Sequence, residues 1–71
     1  MAGIEVLDGV VARFDDAVGT GVVRSSDGDE LPFHCTAIAD GTRTIDEGAE
    51  VTFVVVPGRA GRWEAAAIRR R

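Results

Sequence analysis

Apolar residues in this chain alternate with polar ones or gather in short β-branched blocks, and Gly, Asp or Pro interrupts them about every ten residues. That cadence belongs to a small all-β domain. It predicts a first strand over residues 6–14, with a bend or bulge at Gly9, and a second over 19–25. Ser26-Asp27-Gly28-Asp29 then makes a hairpin turn into a third strand over 30–35. Residues 36–48 break the pattern, with one helical turn expected at Thr36-Ala37-Ile38 and turn signals at Asp40-Gly41 and Asp46-Glu47-Gly48. Residues 50–56 form the most strand-like run of all, presenting Val51, Phe53 and Val55 on one face and Thr52, Val54 and Val56 on the other. A loop of Pro57-Gly58-Arg59-Ala60-Gly61 leads to a fifth strand over 62–69. Five antiparallel strands with a long connection between the third and fourth suit a Greek-key barrel, which hides its edges by curling on itself.

The chain of 71 residues has room for one domain, residues 1–71, and one modest core, so a large catalytic cleft is not expected. No apolar run approaches the ~20 residues that span a bilayer, and Met1-Ala2-Gly3-Ile4-Glu5 lacks the charged start and apolar block of a signal peptide. The expectation is a cytoplasmic protein with no membrane partner, and the single cysteine agrees with a reducing compartment. The net charge of −4 is the wrong sign for a generic polyanion binder, so the placement of positive charge matters more than its total. All eight basic residues are arginine, a side chain that stacks on flat rings and forks onto phosphate.

The segment Gly19-Thr20-Gly21-Val22-Val23-Arg24 is where a surface is expected. Alternation puts Thr20, Val22 and Arg24 on one face and Gly21 and Val23 on the other, and a glycine inside a strand leaves room for another backbone or a ligand. The same alternation aligns Pro32 and His34 with that face and sends Phe33 to the core.

Residues in this order resemble the bacterial cold-shock domain family, over about residues 9–68. Gly9-Val10-Val11-Ala12-Arg13-Phe14 resembles its glycine-led first strand, Gly19-Thr20-Gly21-Val22-Val23 its first ribonucleoprotein motif, and Leu31-Pro32-Phe33-His34-Cys35-Thr36-Ala37-Ile38 its second. Thr44-Ile45-Asp46-Glu47-Gly48-Ala49-Glu50-Val51-Thr52-Phe53 is the strongest match; the loop from Gly58 to Gly61 and Ala65-Ala66-Ala67-Ile68 are similar to the family's last loop and strand. The resemblance implies a five-stranded antiparallel Greek-key OB-fold barrel that holds single-stranded DNA or RNA by stacking bases on aromatic rings. The departures fall on those rings. By the resemblance, Arg13, Thr20, Val22, Pro32 and Cys35 stand where the family carries aromatic residues, Thr42 where another is common, and Ala12 and Val18 where lysine is usual. Since each stacked base is worth ~1–3 kcal/mol, binding is expected to be weak and of low sequence specificity.

Each candidate has more than one reading. His34 either stacks on a base or is simply solvated; Phe14 either plugs the barrel or stacks. Arg13, Arg24 and Arg43 near one face, with Arg59 and Arg62 from the last loop, make either a positive strip or solvated pairs with Asp15, Asp16, Asp27, Asp29 and Glu30. Trp63 beside Arg62 is a relocated stacking ring, an anchor for a protein partner or rim packing. Arg69-Arg70-Arg71 is a solvated tail or a phosphate clamp. An enzyme is not expected: His34 and Cys35 are neighbours that point to opposite faces of a continuing strand. One Cys and one His fall short of a structural zinc site, so no metal or other cofactor and no small-molecule substrate are expected. The alternative to nucleic-acid binding is protein contact or self-association as a weak homodimer, through an apolar patch of Val22, Pro32, Cys35 and Trp63.

Overall fold

The computed structural model describes residues 5–71; the leader reading made on Met1 to Glu5 lies, but for Glu5, outside them. Five strands run β1 Leu7–Asp15, β2 Thr20–Ser25, β3 Glu30–His34, β4 Glu50–Pro57 and β5 Trp63–Arg70. They form one antiparallel sheet in the order β3-β2-β1-β4-β5, the Greek-key order of an OB fold. β5 packs back against β3, and a parallel bridge between Ile38 and Ile68 ties the chain after β3 to the end of β5. The edges thereby curl towards each other, as the cadence of the sequence requires.

Val23, Phe33, Val51 and Phe53 meet in the core as alternation assigns them, whereas Ala65 and Ile68, three residues apart in β5, both reach it across the positive-φ Ala67 and its register shift. Val11, Val23, Phe33, Val51, Phe53, Ala65 and Ile68 are buried, and Ile38 and Ile45 join them from the long connection. β4 contributes most because its β-branched run fits a pleated surface and covers the core with Val51 and Phe53. Pro32 is accommodated because β3 pairs with β2 on one side alone, so the missing N–H breaks no ladder.

Several local readings need correction. The expected bulge at Gly9 lies instead between Val11 and Arg13, where Ala12 is the extra residue. Gly9 stays in register opposite Ser25, its bare α-carbon facing the Phe53 ring. The bulge has a large effect. Strict alternation from the buried Val11 would point Arg13 inward and Phe14 outward; the extra residue reverses both, pairing Arg13 with Val22 and Phe14 with Gly21. A second irregularity falls between Thr52 and Val54 of β4.

The space at Gly21 is filled by the protein itself. A Cβ there would stand 2.7 Å from Phe33 Cζ, so the glycine admits the Phe33 ring, not a ligand. Phe14 lies parallel to that ring, centroids 5.8 Å apart, which makes it a half-buried plug on the core side. The helical turn begins one residue earlier than expected, as a 3-10 turn Cys35–Ala37. Cys35 therefore leaves β3 and packs half-buried against the core beneath Gly19. The C-terminal arginines are not a free tail, since Arg70 pairs with Asp40 and donates to the Thr44 carbonyl at 2.8 Å.

Candidate nucleic-acid interface

The outer face of β1, β2 and β3 is built from three cross-strand rows. Val10, Arg24 and Glu30 form the first, Arg13, Val22 and Pro32 the second, and Asp15, Thr20 and His34 the third. Directly opposed side chains on one face lie close enough to act together, so the rows are the units of this surface. In the first row Arg24 Nη2 donates to Glu30 Oε2 at 2.9 Å, which cancels its charge locally. Both partners are half exposed, so the pair contributes about 0–1 kcal/mol.

The second row is the centre of the face. Arg13, Val22 and Pro32 line an open depression of about 950 Å³ whose far side is formed by Arg62, Trp63 and Val55. Trp63 is 59% exposed, the largest ring on the described surface, and it opens β5 directly after the last loop. Asp27, Asp29 and Glu30 stand at another part of its lining. An adjoining depression shares Arg13, Val22 and Pro32 and continues to Thr20, with Asp15, Asp16 and Glu47 around it. Asp15 and Glu47 are held there by the backbone: Asp15 Oδ1 accepts the N–H groups of Ala17 and Val18 at 3.0 and 3.2 Å, and Glu47 Oε2 accepts that of Phe14 at 3.3 Å. A third depression brings exposed His34 to Thr36, Arg59 and Glu64, with the Arg59 N–H 3.4 Å from Glu64 Oε2.

The sequence-derived residues are thus divided. Arg13, Val22, Pro32, Arg62 and Trp63 meet around one depression, Thr20 borders the next, and His34 lies opposite Thr20. Arg24 shares the face but is paired with Glu30. Phe14 borders the second depression from the core side, in its stack with Phe33. Arg43 lines none of the three depressions; it sits, at φ 63°, in the connection whose neighbours Asp40 and Thr44 hold Arg70. No carboxylate lies within 4.0 Å of the guanidinium nitrogens of Arg13, Arg59 or Arg62 among the described residues. One group escaped the sequence reading: Glu47, which reads as a turn residue, reaches the wall only because its connection doubles back onto β1. Arg59, expected to approach from the last loop, does so beside His34, because that loop folds beside β3.

A curled five-stranded sheet with one outer wall of small apolar, cationic and ring side chains defines an OB-fold surface of the kind that accommodates an extended chain. Comparison with known proteins gives the family. The model of the 'Cold-shock' DNA-binding domain matches residues 7–71, and the chain belongs to the cold-shock domain family, a family of nucleic-acid-binding domains. It is similar to the cold shock protein CspD of Bacillus subtilis, 38% identical over 55 residues that cover 76% of this chain and 83% of the relative. It is equally similar to the major cold shock protein CspA of Pseudomonas aeruginosa, 38% identical over 55 residues covering 76% and 80%. Among solved structures, drosophila Unr CSD456 superposes with a TM-score of 0.79 at 30% identity, covering 97% of this chain and 28% of that one.

Proposed function

We propose that the protein binds single-stranded DNA or RNA across the outer face of β1, β2 and β3, weakly and with low sequence specificity. The observation that carries this reading is the meeting of Arg13 and Arg62, neither paired with a carboxylate, with the exposed Trp63 ring around one depression on that face. A guanidinium contributes phosphate contact and a plane on which a base can lie; the indole contributes a larger plane. Val22 and Pro32 form an apolar floor between them, which supports the flat face of a base without reading its edges. The role is binding, not catalysis: His34 is exposed on the outer wall, while the neighbouring Cys35 turns towards the core. Self-association has less to support it, because the withdrawal of Cys35 reduces the expected patch to Val22, Pro32 and Trp63.

Titration of the Trp63 fluorescence with oligo-dT and oligo-rU at low and moderate salt tests the proposal. Quenching should saturate and weaken as salt rises, because each phosphate neutralised on a single strand contributes about −0.7 to the slope of log K on log salt. Arg13→Gln should lower that slope by about one such unit, whereas Arg24→Gln, whose charge is already engaged by Glu30, should change it little. Absence of quenching up to about millimolar oligonucleotide, where even nonspecific binding would register, overturns the proposal. Sedimentation over a range of concentration then reads out the competing homodimer.

A further inference from the structure

The electrostatics of the wall carry more than a binding surface: they limit its length. Arg13 belongs to both of the larger depressions, and each of them ends in carboxylates. On one side stand Asp27 and Asp29, beyond the Arg24–Glu30 pair whose charges cancel; on the other stand Asp15, Asp16 and Glu47. Between these two fences lie the unpaired guanidiniums of Arg13 and Arg62, and the last loop adds Arg59 beside His34. A phosphate chain crossing either fence meets like charge that is close and exposed, so each further nucleotide would weaken attraction instead of adding to it.

Resting on the proposed function, we infer that the binding site is truncated: it takes a short single-stranded segment of about three nucleotides, set by three available guanidiniums, against the ~4–16 nucleotides usual for an OB fold. The segment turns towards the last loop, with a base on Trp63 and its phosphates on Arg62, Arg13 and Arg59. The remainder of a longer strand hangs free in solvent. The ligand class is therefore an oligonucleotide end or a short exposed gap, for which the protein needs no long cleared track.

The test is a titration with oligo-dT of graded length, from about two to about nine nucleotides, read by Trp63 quenching and corrected for the number of overlapping registers on a longer strand. Affinity should rise up to about three nucleotides and then stay level, with a salt slope that settles near −2. In a variant carrying Asp16→Asn, Asp27→Asn and Asp29→Asn, side chains that make no hydrogen bond among the described residues, the longest oligonucleotide should bind about tenfold more tightly at low salt, with the gain fading as salt screens it. Corrected affinity that climbs through six nucleotides or more, about double the inferred footprint, overturns the truncated site and leaves nucleic-acid binding standing. An unchanged affinity for the longest strand in the triple variant overturns it as well. No quenching at any length overturns the functional proposal on which it rests.

Discussion

At the scale of single residues, Gly21 has the most particular requirement. Its α-hydrogen faces the Phe33 ring, and the Phe14 ring lies parallel to Phe33, so a glycine on one strand accounts for two rings of the core. Gly21→Ala would place a methyl group 2.7 Å from Phe33 Cζ with the Arg13 carbonyl on its other side, and neither neighbour can yield without moving the strand. The expected loss of stability is about 1–3 kcal/mol, measured as a shift of the urea midpoint at unchanged slope. Alternation along β2 and β3 foretold which side chains face out, since Val22, Pro32 and His34 follow one another at the period of a strand. It could not choose between a free and a paired Arg24, which the structure pairs with Glu30, or foretell that Cys35 would turn into a 3-10 helix, because both depend on where the chain goes next.

Among the elements, the long connection between β3 and β4 was the least legible. Its composition signals turns, and its actual anchorage is long-range: Ile38 and Ile45 are buried, and Asp40, Thr42 and Thr44 gather round Arg70 of β5. The Thr42 N–H, then its hydroxyl, and then the Arg70 guanidinium hold the Asp40 carboxyl below its ordinary value of 3.8, outweighing the opposing effect of burial. Because the folded value lies below the unfolded one, the stability this group contributes is complete above the ordinary carboxylate range and disappears as pH falls through the lowered folded value. The stability difference between the wild type and Asp40→Asn should accordingly shrink as pH falls below the ordinary carboxylate value of 3.8 and through the lowered folded value, in urea unfolding or in amide exchange of residues 40–44. A difference that stays constant through that window would remove Asp40 from the acid response.

For the molecule as a whole, the number and order of the strands were readable because turn residues and β-branched runs are local signals, and the strongest of them, β4, sits in the middle of the core. The net charge of −4 was readable too, and it has opposite consequences for folding and for binding. Salt relieves self-repulsion in a compact acidic chain while it screens guanidinium from phosphate. Raising sodium chloride from about 20 mM to about 200 mM should move the urea midpoint up by a few tenths molar and weaken oligonucleotide binding over the same range. Parallel changes of the two would mean that the attraction does not come from the arginines. What composition could not disclose is the distribution of that charge, with carboxylates massed at both ends of the wall and Arg13 between them.

Arg13 is between them only because Ala12 is looped out of the ladder of β1. Were Ala12 to take its own place in the ladder, every catalogue of motifs in this gene would stand intact, yet a cation would turn into the oily interior and a phenyl ring out into water. Losing Ala12 altogether would leave Arg13 following Val11 at the strand's own period, so this stretch of the gene should bear a dropped codon here far better than an added one.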